Sequence, residues 1–268
     1  MRPWLEIVIP ARNEERRLPA GLAELSAAVA PLPSGVSILV VDNASDDRTG
    51  DIVREWPAGD VPVRLLHCHW PGKGAAVRAG LLATSAPYVG FCDADMATDP
   101  TAIAVATRLL QAGNLVVLGS RSHPASDVED RHTVVRRAGA AIFRAATRVI
   151  VPDVADTQCG FKFFHGEIAR AAAARLRVTG FAFDVELIAR CVQLGATPVE
   201  IPVRWRDVGG STFSVWRHSA SSFAELAVAW RAVRSEPAVP EPDSAGWSTD
   251  TAGAPAALGS LPPQAGPG

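Results

Sequence analysis

Through the first 120 residues, short β-branched runs alternate with Ala-, Leu- and Arg-rich stretches of helical period, and nearly every run ends in a polar cluster. That alternation is the pattern of βαβ units wound around a mostly parallel sheet flanked by helices, a Rossmann-like α/β architecture. The apolar runs predict strands at 5–10, 37–42, 62–68, 88–93 and 115–120. The stretches between them predict helices at 14–29, 47–56, 73–85 and 100–112. Asn13 opens the first of these, and Asp99 opens the last as an N-cap followed by Pro100 at N1.

After Arg121 the pattern changes. An Arg-rich loop leads to a long helix near 131–150, an irregular stretch at 152–164, helices near 165–175 and 184–195, a strand at 197–205 and a last helix at 216–234. From about residue 236 the chain is Pro, Ala, Gly and Ser with no apolar period. Such a segment does not offset its ordering entropy by burial, and a disordered tail over 236–268 is expected.

Composition narrows the function. Lys plus Arg total 26 against 28 Asp plus Glu, so the chain lacks the positive field that draws a protein to nucleic acid, and none is expected as a partner. Cys68, Cys92, Cys159 and Cys191 are widely spaced and never form CxxC, which reads as buried free thiols in a reducing compartment rather than a zinc site. The opening apolar run is cut short by Arg12, Asn13 and Glu14 and reads as a strand, not as a leader or anchor. No run of about 18 or more apolar residues occurs, so the expected location is cytoplasmic, with at most peripheral attachment at the inner face of the plasma membrane. Segment 216–234 could serve as an interfacial helix, though packing on the domain is the preferred reading.

Four polar clusters sit where a parallel sheet would gather them, at strand carboxyl ends. The first is Pro10-Ala11-Arg12-Asn13-Glu14. The second, Asp42-Asn43-Ala44-Ser45-Asp46-Asp47, holds more short acceptors than a helix cap needs and suits a base or a ribose. In the third, Gly72-Lys73-Gly74, the glycines permit close backbone approach while Lys73 can meet a phosphate; the spacing is not that of a Walker loop. The fourth is the sharpest: an apolar strand delivers Asp93-Ala94-Asp95. Two carboxylates two residues apart at a buried strand end repel each other unless a cation lies between them. Mg2+ or Mn2+ bridging Asp93 and Asp95 to a diphosphate is the economical reading, because those ions take oxygen ligands. Arg121, Arg136 and Arg137 can supply positive charge near a departing diphosphate. Asp184 is the expected N-cap of its helix and, with Glu186 in the first turn, a candidate to face substrate.

The ordered set PARNE, VVDNASDDRT, GKGAAVRAG, DADMATDP, LGSR, DTQCGFK and FAFDVEL, with GGS at 209–211, resembles the family 2 glycosyltransferases over residues 4–232, within them the dolichyl-phosphate glucosyltransferase and dolichol-phosphate mannose synthase group. The resemblance implies a single-domain GT-A fold over 1–235, with a nucleotide-sugar-binding half at 1–121 and an acceptor-side half at 122–235. It implies inverting transfer of a hexose from UDP-glucose, or secondarily GDP-mannose, to a polyprenyl phosphate. Pro10, Arg12, Asn13, Glu14, Asp42, Asn43 and Lys73 match nucleotide-contacting positions, and Asp93, Ala94 and Asp95 match the metal motif. Arg121, Arg136 and Arg206 match positions expected to meet phosphates, and Asp95, Asp184 and Arg121 are the expected catalytic set.

Three positions depart from the family pattern. Arg12 replaces a tyrosine, Ala97 replaces the glutamine of many mannose synthases, and Thr212 replaces a phosphate-binding lysine. The same fold with a soluble hydroxyl acceptor is the alternative, in which Asp184 or Glu186 must take a proton. A sugar nucleotidylyltransferase is disfavoured because Asn13-Glu14-Glu15 stands where its glycine-rich basic loop would be. A non-catalytic nucleotide-sugar-binding protein is a further alternative.

Overall fold

The structure is a computed structural model that describes residues 2–129, 134–208 and 215–236. Its centre is a seven-stranded sheet. The strands are β1 (Leu5–Ala11), β2 (Val36–Asp42), β3 (Val63–His67), β4 (Tyr88–Cys92), β5 (Val116–Ser120), β7 (Phe161–His165) and β8 (Pro198–Pro202). Their order across the sheet is β3-β2-β1-β4-β7-β5-β8. All pairings are parallel except the two made by β7. A two-stranded parallel ribbon pairs β6 (Asp127–Glu129) with β9 (Arg204–Arg206).

The helices are α1 (Leu18–Val29), α2 (Thr49–Arg54), α3 (Lys73–Ala83), α4 (Ile103–Gln111), α5 (Val134–Thr147), α6 (Gly166–Ala174), α7 (Phe183–Gln193) and α8 (Val215–Ser235). Two apolar layers enclose the sheet. One gathers Val8, Leu39, Val41 and Phe91 with α3, α6 and α7; the other gathers Leu5, Ile7, Ile9 and Phe163 with α1 and α4. Strands buried on both faces are mostly apolar, which is why β1, β2 and β5 are rich in Val, Ile and Leu; a buried exception, Glu6 of β1, is paired with Ser37 Oγ at 2.9 Å and Arg64 at 2.7 Å. All four cysteines are free and buried.

Several expectations are corrected. The first helix begins at Leu18, not residue 14, with Pro19 in its first turn. Asn13 is not a cap; it adopts φ 56, a left-handed turn that Asn tolerates. The expected irregular stretch ends in a true strand, β7, which enters antiparallel between β4 and β5 with Lys162 opposite Phe91. The expected strand at 197–205 breaks at Val203 into β8 and β9. Asp99 does cap the 3-10 turn at Pro100–Ala102, accepting the Thr101 N–H at 2.9 Å. Residues 131–133, the 209–211 motif with Thr212, and the expected tail from 237 onward lie outside the described residues. Among those described, no helix is long and apolar enough to cross a membrane.

Candidate active site

Because β1, β2, β4 and β5 run parallel, their carboxyl ends open on one edge of the sheet, and antiparallel β7 starts at that edge. The polar clusters read from the sequence therefore meet. At the centre, Asp93 and Asp95 follow β4. The Asp93 N–H donates to Gly160 O at 3.1 Å, and a Cβ at position 160 would overlap the Asp93 carboxylate, so only glycine lets that carboxylate lie where it does. Asp95 accepts the Ala97 N–H at 3.2 Å, Met96 takes φ 45 between them, and Ala94 is buried. Burial, followed by the neighbouring Asp93 charge, pushes the Asp95 carboxyl above its ordinary value.

Positive charge reaches the pair from two elements. Lys73 at the start of α3 places Nζ 2.6 Å from Asp93 Oδ1. Burial would lower its pKa, but Asp93, Asp184 and Asp95 outweigh that effect and raise it, so the ammonium is firmly charged. Arg17 places a guanidinium nitrogen 3.8 Å from Asp95 Oδ2 while two others bond Glu14 at 2.7 Å each. Glu14 lies in the field of both aspartates, and burial, opposed by Arg17, raises its pKa.

The nucleotide-side residues knit their loops together. Asn13 Oδ1 accepts the Asp46 N–H and the Asn13 N–H donates to Ser45 Oγ, both at 3.0 Å; the Glu14 N–H donates to Thr49 Oγ1 at 2.8 Å. Asp42 accepts the Ser45 N–H at 3.1 Å and faces His67 Nδ1 at 3.2 Å. Pro10 is half-buried and Arg12 exposed beside them. Asn43, read as a nucleotide contact, holds the loop leading to α3: its amide donates to Cys68 O at 3.3 Å and Trp70 O at 2.6 Å, and its oxygen accepts the Gly72 N–H at 2.9 Å.

The remaining expectations divide. Asp184 does not cap α7, whose N-cap position is Ala182; it lies buried in the first turn with Oδ1 2.7 Å from Lys162 Nζ. Burial raises the Asp184 pKa, and Lys162 and Lys73 oppose the rise. Glu186 is no candidate base. Its carboxylate accepts the Arg177 and Val178 N–H groups at 2.9 and 2.8 Å and lies 3.3 Å from the Arg190 guanidinium inside the protein. Arg121 is clamped by Asp156 in two bonds of 2.7 and 2.8 Å and lies 5.7 Å above the Trp205 ring. Arg206 turns outward to Glu24 at 3.5 Å, with only its N–H touching the Asp93–Ala97 loop, at Ala97 O. The Arg136 side chain lies outside the described residues.

Two participants escaped the sequence reading. Arg17 follows Glu14 by three residues, a spacing that suggests local pairing. Lys162 stands among Phe161, Phe163 and Phe164, and a lysine within an aromatic strand signals a buried ion pair. Its ammonium also donates to Cys159 O and lies 5.1 Å from the Phe91 ring centroid.

The donor set suits a hard divalent cation: partly exposed carboxylate oxygens with positive charge already drawn to them. Among the described residues no group of three or more His, Cys, Asp or Glu forms a closed metal cage. A cation at Asp93 and Asp95 would thus need oxygens from water and a bound diphosphate.

Known proteins match the chain over most of its length. The sequence profile described as Glycosyl transferase family 2 covers residues 6–173. The dolichyl-phosphate beta-glucosyltransferase of Drosophila melanogaster is 33% identical over 222 residues, 77% of this chain and 68% of that protein. The enzyme of the same name from Dictyostelium discoideum is 30% identical over 223 residues, 78% of this chain and 68% of its own. Glucosyl-3-phosphoglycerate synthase from Mycobacterium tuberculosis, crystallised with UDP, superposes with a TM-score of 0.62 at 20% identity, covering 86% of this chain and 80% of that one. A second crystal of that synthase, with Mn2+, UDP and glucosyl-3-phosphoglycerate, gives a TM-score of 0.61 at 19% identity, with 86% and 80% covered. At that identity the likeness concerns the fold. The carboxylates at the parallel strand ends, the family-wide match and the two relatives agree: the chain belongs to glycosyl transferase family 2, and it is a glycosyltransferase with the GT-A fold.

Proposed function

We propose that this protein transfers glucose from UDP-glucose to a polyprenyl phosphate with inversion at the anomeric carbon, using Mg2+ or Mn2+ held by Asp93 and Asp95. The observation that carries the reading is the Asp93–Asp95 pair at the open end of β4, with Lys73 and Arg17 turned toward it. The names of the relatives supply the sugar and the acceptor class.

In the reaction, the acceptor phosphate oxygen forms a bond to the anomeric carbon as the bond from that carbon to the diphosphate breaks, and UDP leaves with the electron pair. Negative charge grows on the leaving diphosphate while the sugar gains oxocarbenium character. A divalent cation held by Asp93 and Asp95 would supply Lewis-acid stabilisation of that growing charge. Lys73, at the amino end of α3, adds a mobile point charge and the helix dipole behind it. Pro10 to Glu14 and Asp42 shape the nucleotide side, and Arg121, with Nε and Nη2 committed to Asp156, has its Nη1 left to offer a phosphate.

A phosphate acceptor arrives already anionic and needs no strong base. That suits a site in which Asp184 is tied to Lys162 and Glu186 is committed to backbone N–H groups. Attachment to the membrane is peripheral in this reading. Phe223 and Trp230 of α8, with Ile142 and Val149 on and just after α5, are exposed apolar side chains, and Arg148, Arg231 and Arg234 are exposed among them. Arg234 stacks on Trp230 at 4.8 Å, and a cavity of about 230 Å³ lies between Val149, Ile150, Trp230, Val233 and Arg234. Apolar side chains rimmed by arginines suit an anionic lipid surface.

The deciding experiment is incubation of the protein with radiolabelled UDP-glucose, Mn2+ and polyprenyl phosphate, followed by organic extraction. Label in the lipid phase is expected. Label only in a water-soluble product would replace the acceptor assignment.

A further inference from the structure

The two carboxylates assigned to the cation already hold cations supplied by the chain. Lys73 Nζ lies 2.6 Å from Asp93 Oδ1. Arg17, fixed by its two bonds to Glu14, brings Nη1 within 3.8 Å of Asp95 Oδ2. That Nη1 is buried and has no hydrogen-bond partner among the described residues, so it serves Asp95 by charge alone. Two neighbouring carboxylates need compensation of this kind, since like charges so close disfavour joint ionisation.

The two arms differ in their freedom to move. Arg17 sits just before α1, its guanidinium locked to Glu14. Lys73 has a fixed backbone and a free stem. Gly72 takes φ 120, and a Cβ there would overlap the Thr179 carbonyl; a Cβ at Gly74 would run into Phe183. The Ala75 N–H donates to Thr179 O at 3.1 Å, pinning the amino end of α3 to the loop before α7. Asp93 is fixed from the other side by Gly160. Its side chain is 35% exposed and that of Lys73 22%, so the contact opens toward solvent, and of the two groups the lysine has the longer, unbranched stem on which to move.

We propose that Lys73 is a resident substitute for the divalent cation, released from Asp93 only when an incoming diphosphate takes up its ammonium, so that cation and nucleotide bind synergistically. This rests on the transferase reading and adds to it an order of assembly. A divalent cation arriving alone must displace Lys73 and leave its ammonium facing a dication without a counter-anion. A diphosphate arriving with the cation gives the ammonium a new partner, and Asp93 passes to the cation. One lysine thus neutralises the aspartate in the free protein and the diphosphate in the complex.

The test is calorimetric binding to the full chain of Mn2+ alone, UDP alone, and Mn2+ with saturating UDP, using wild type, Lys73→Met and Lys73→Gln. Both variants are expected to bind Mn2+ alone about tenfold more tightly than wild type, a coupling of ordinary size. UDP should raise the Mn2+ affinity of wild type by a larger factor than that of either variant. Equal affinity of wild type and both variants for Mn2+ alone, or an equal gain from UDP, overturns the proposal. Failure of wild type to bind UDP with or without Mn2+ overturns the transferase reading instead, while the metal-only comparison still decides the role of Lys73.

Discussion

Lys162 Nζ lies 2.7 Å from Asp184 Oδ1, and neither side chain reaches solvent. The pair joins the one antiparallel strand of the sheet to the first turn of α7, placing a buried negative charge behind Lys73. A buried pair contributes little net stability, but removing one partner strands the other.

Lys162→Met is therefore expected to cost about 3–5 kcal/mol of folding stability, and the double variant Lys162→Met/Asp184→Leu markedly less. Urea denaturation read by circular dichroism measures both. A single variant within about 1 kcal/mol of wild type would mean that the ion pair is not formed.

Asp93→Asn and Asp95→Asn should each lower transfer from UDP-glucose by about 100- to 1000-fold, as expected for losing several kcal/mol of transition-state stabilisation. Their thermal melting should stay near that of wild type, because relief of the repulsion between the two carboxylates offsets the loss of the partly exposed contacts to Lys73 and Arg17. Gly160→Ala should resemble Asp93→Asn in activity, since a methyl there displaces the Asp93 carboxylate. Full activity in any of the three would remove the carboxylate pair from the mechanism.

Asp156 is expected to contribute to stability against acid. Burial alone would raise its carboxyl, but the Arg121 guanidinium outweighs burial and holds it down at about 2. A folded pKa below the unfolded value gives stability that is present above the unfolded pKa, near 3.8, and lost as pH falls through that window to about 2. The shift corresponds to about 2 kcal/mol. Melting temperature measured from pH 6 to pH 2 should fall less steeply for Asp156→Asn than for wild type; parallel curves would refute the assignment.

Flotation with vesicles carrying anionic lipid tests the α5–α8 surface. Wild type should bind, more weakly at high salt, and Arg231→Gln/Arg234→Gln should lose about 30-fold in affinity at about 1 kcal/mol per arginine. Both side chains are exposed, so the fold is retained. Equal binding of the two proteins would remove this face as the attachment surface.

What the sequence determined by itself was local. Short apolar runs, rich in Val, Ile and Leu in β1, β2 and β5 and mixed with Tyr, Phe and Cys in β4, marked these strands within about two residues, because a strand buried on both faces is mostly apolar along its length. The parallel alternation implied that Asp93, Asp95, Lys73 and Glu14 would gather at one edge, and they do. What only the tertiary structure decided was which charge each buried group meets. β7 was hidden in a stretch of mixed polar and aromatic residues because its partners, β4 and β5, are distant in sequence, and with it was hidden the lysine that binds Asp184. Glu186 looked like a candidate base in the first turn of its helix until the preceding loop folded back and placed two N–H groups on it. Periodicity and capping are written in neighbouring residues, whereas the partner of a buried charge is set by strand order.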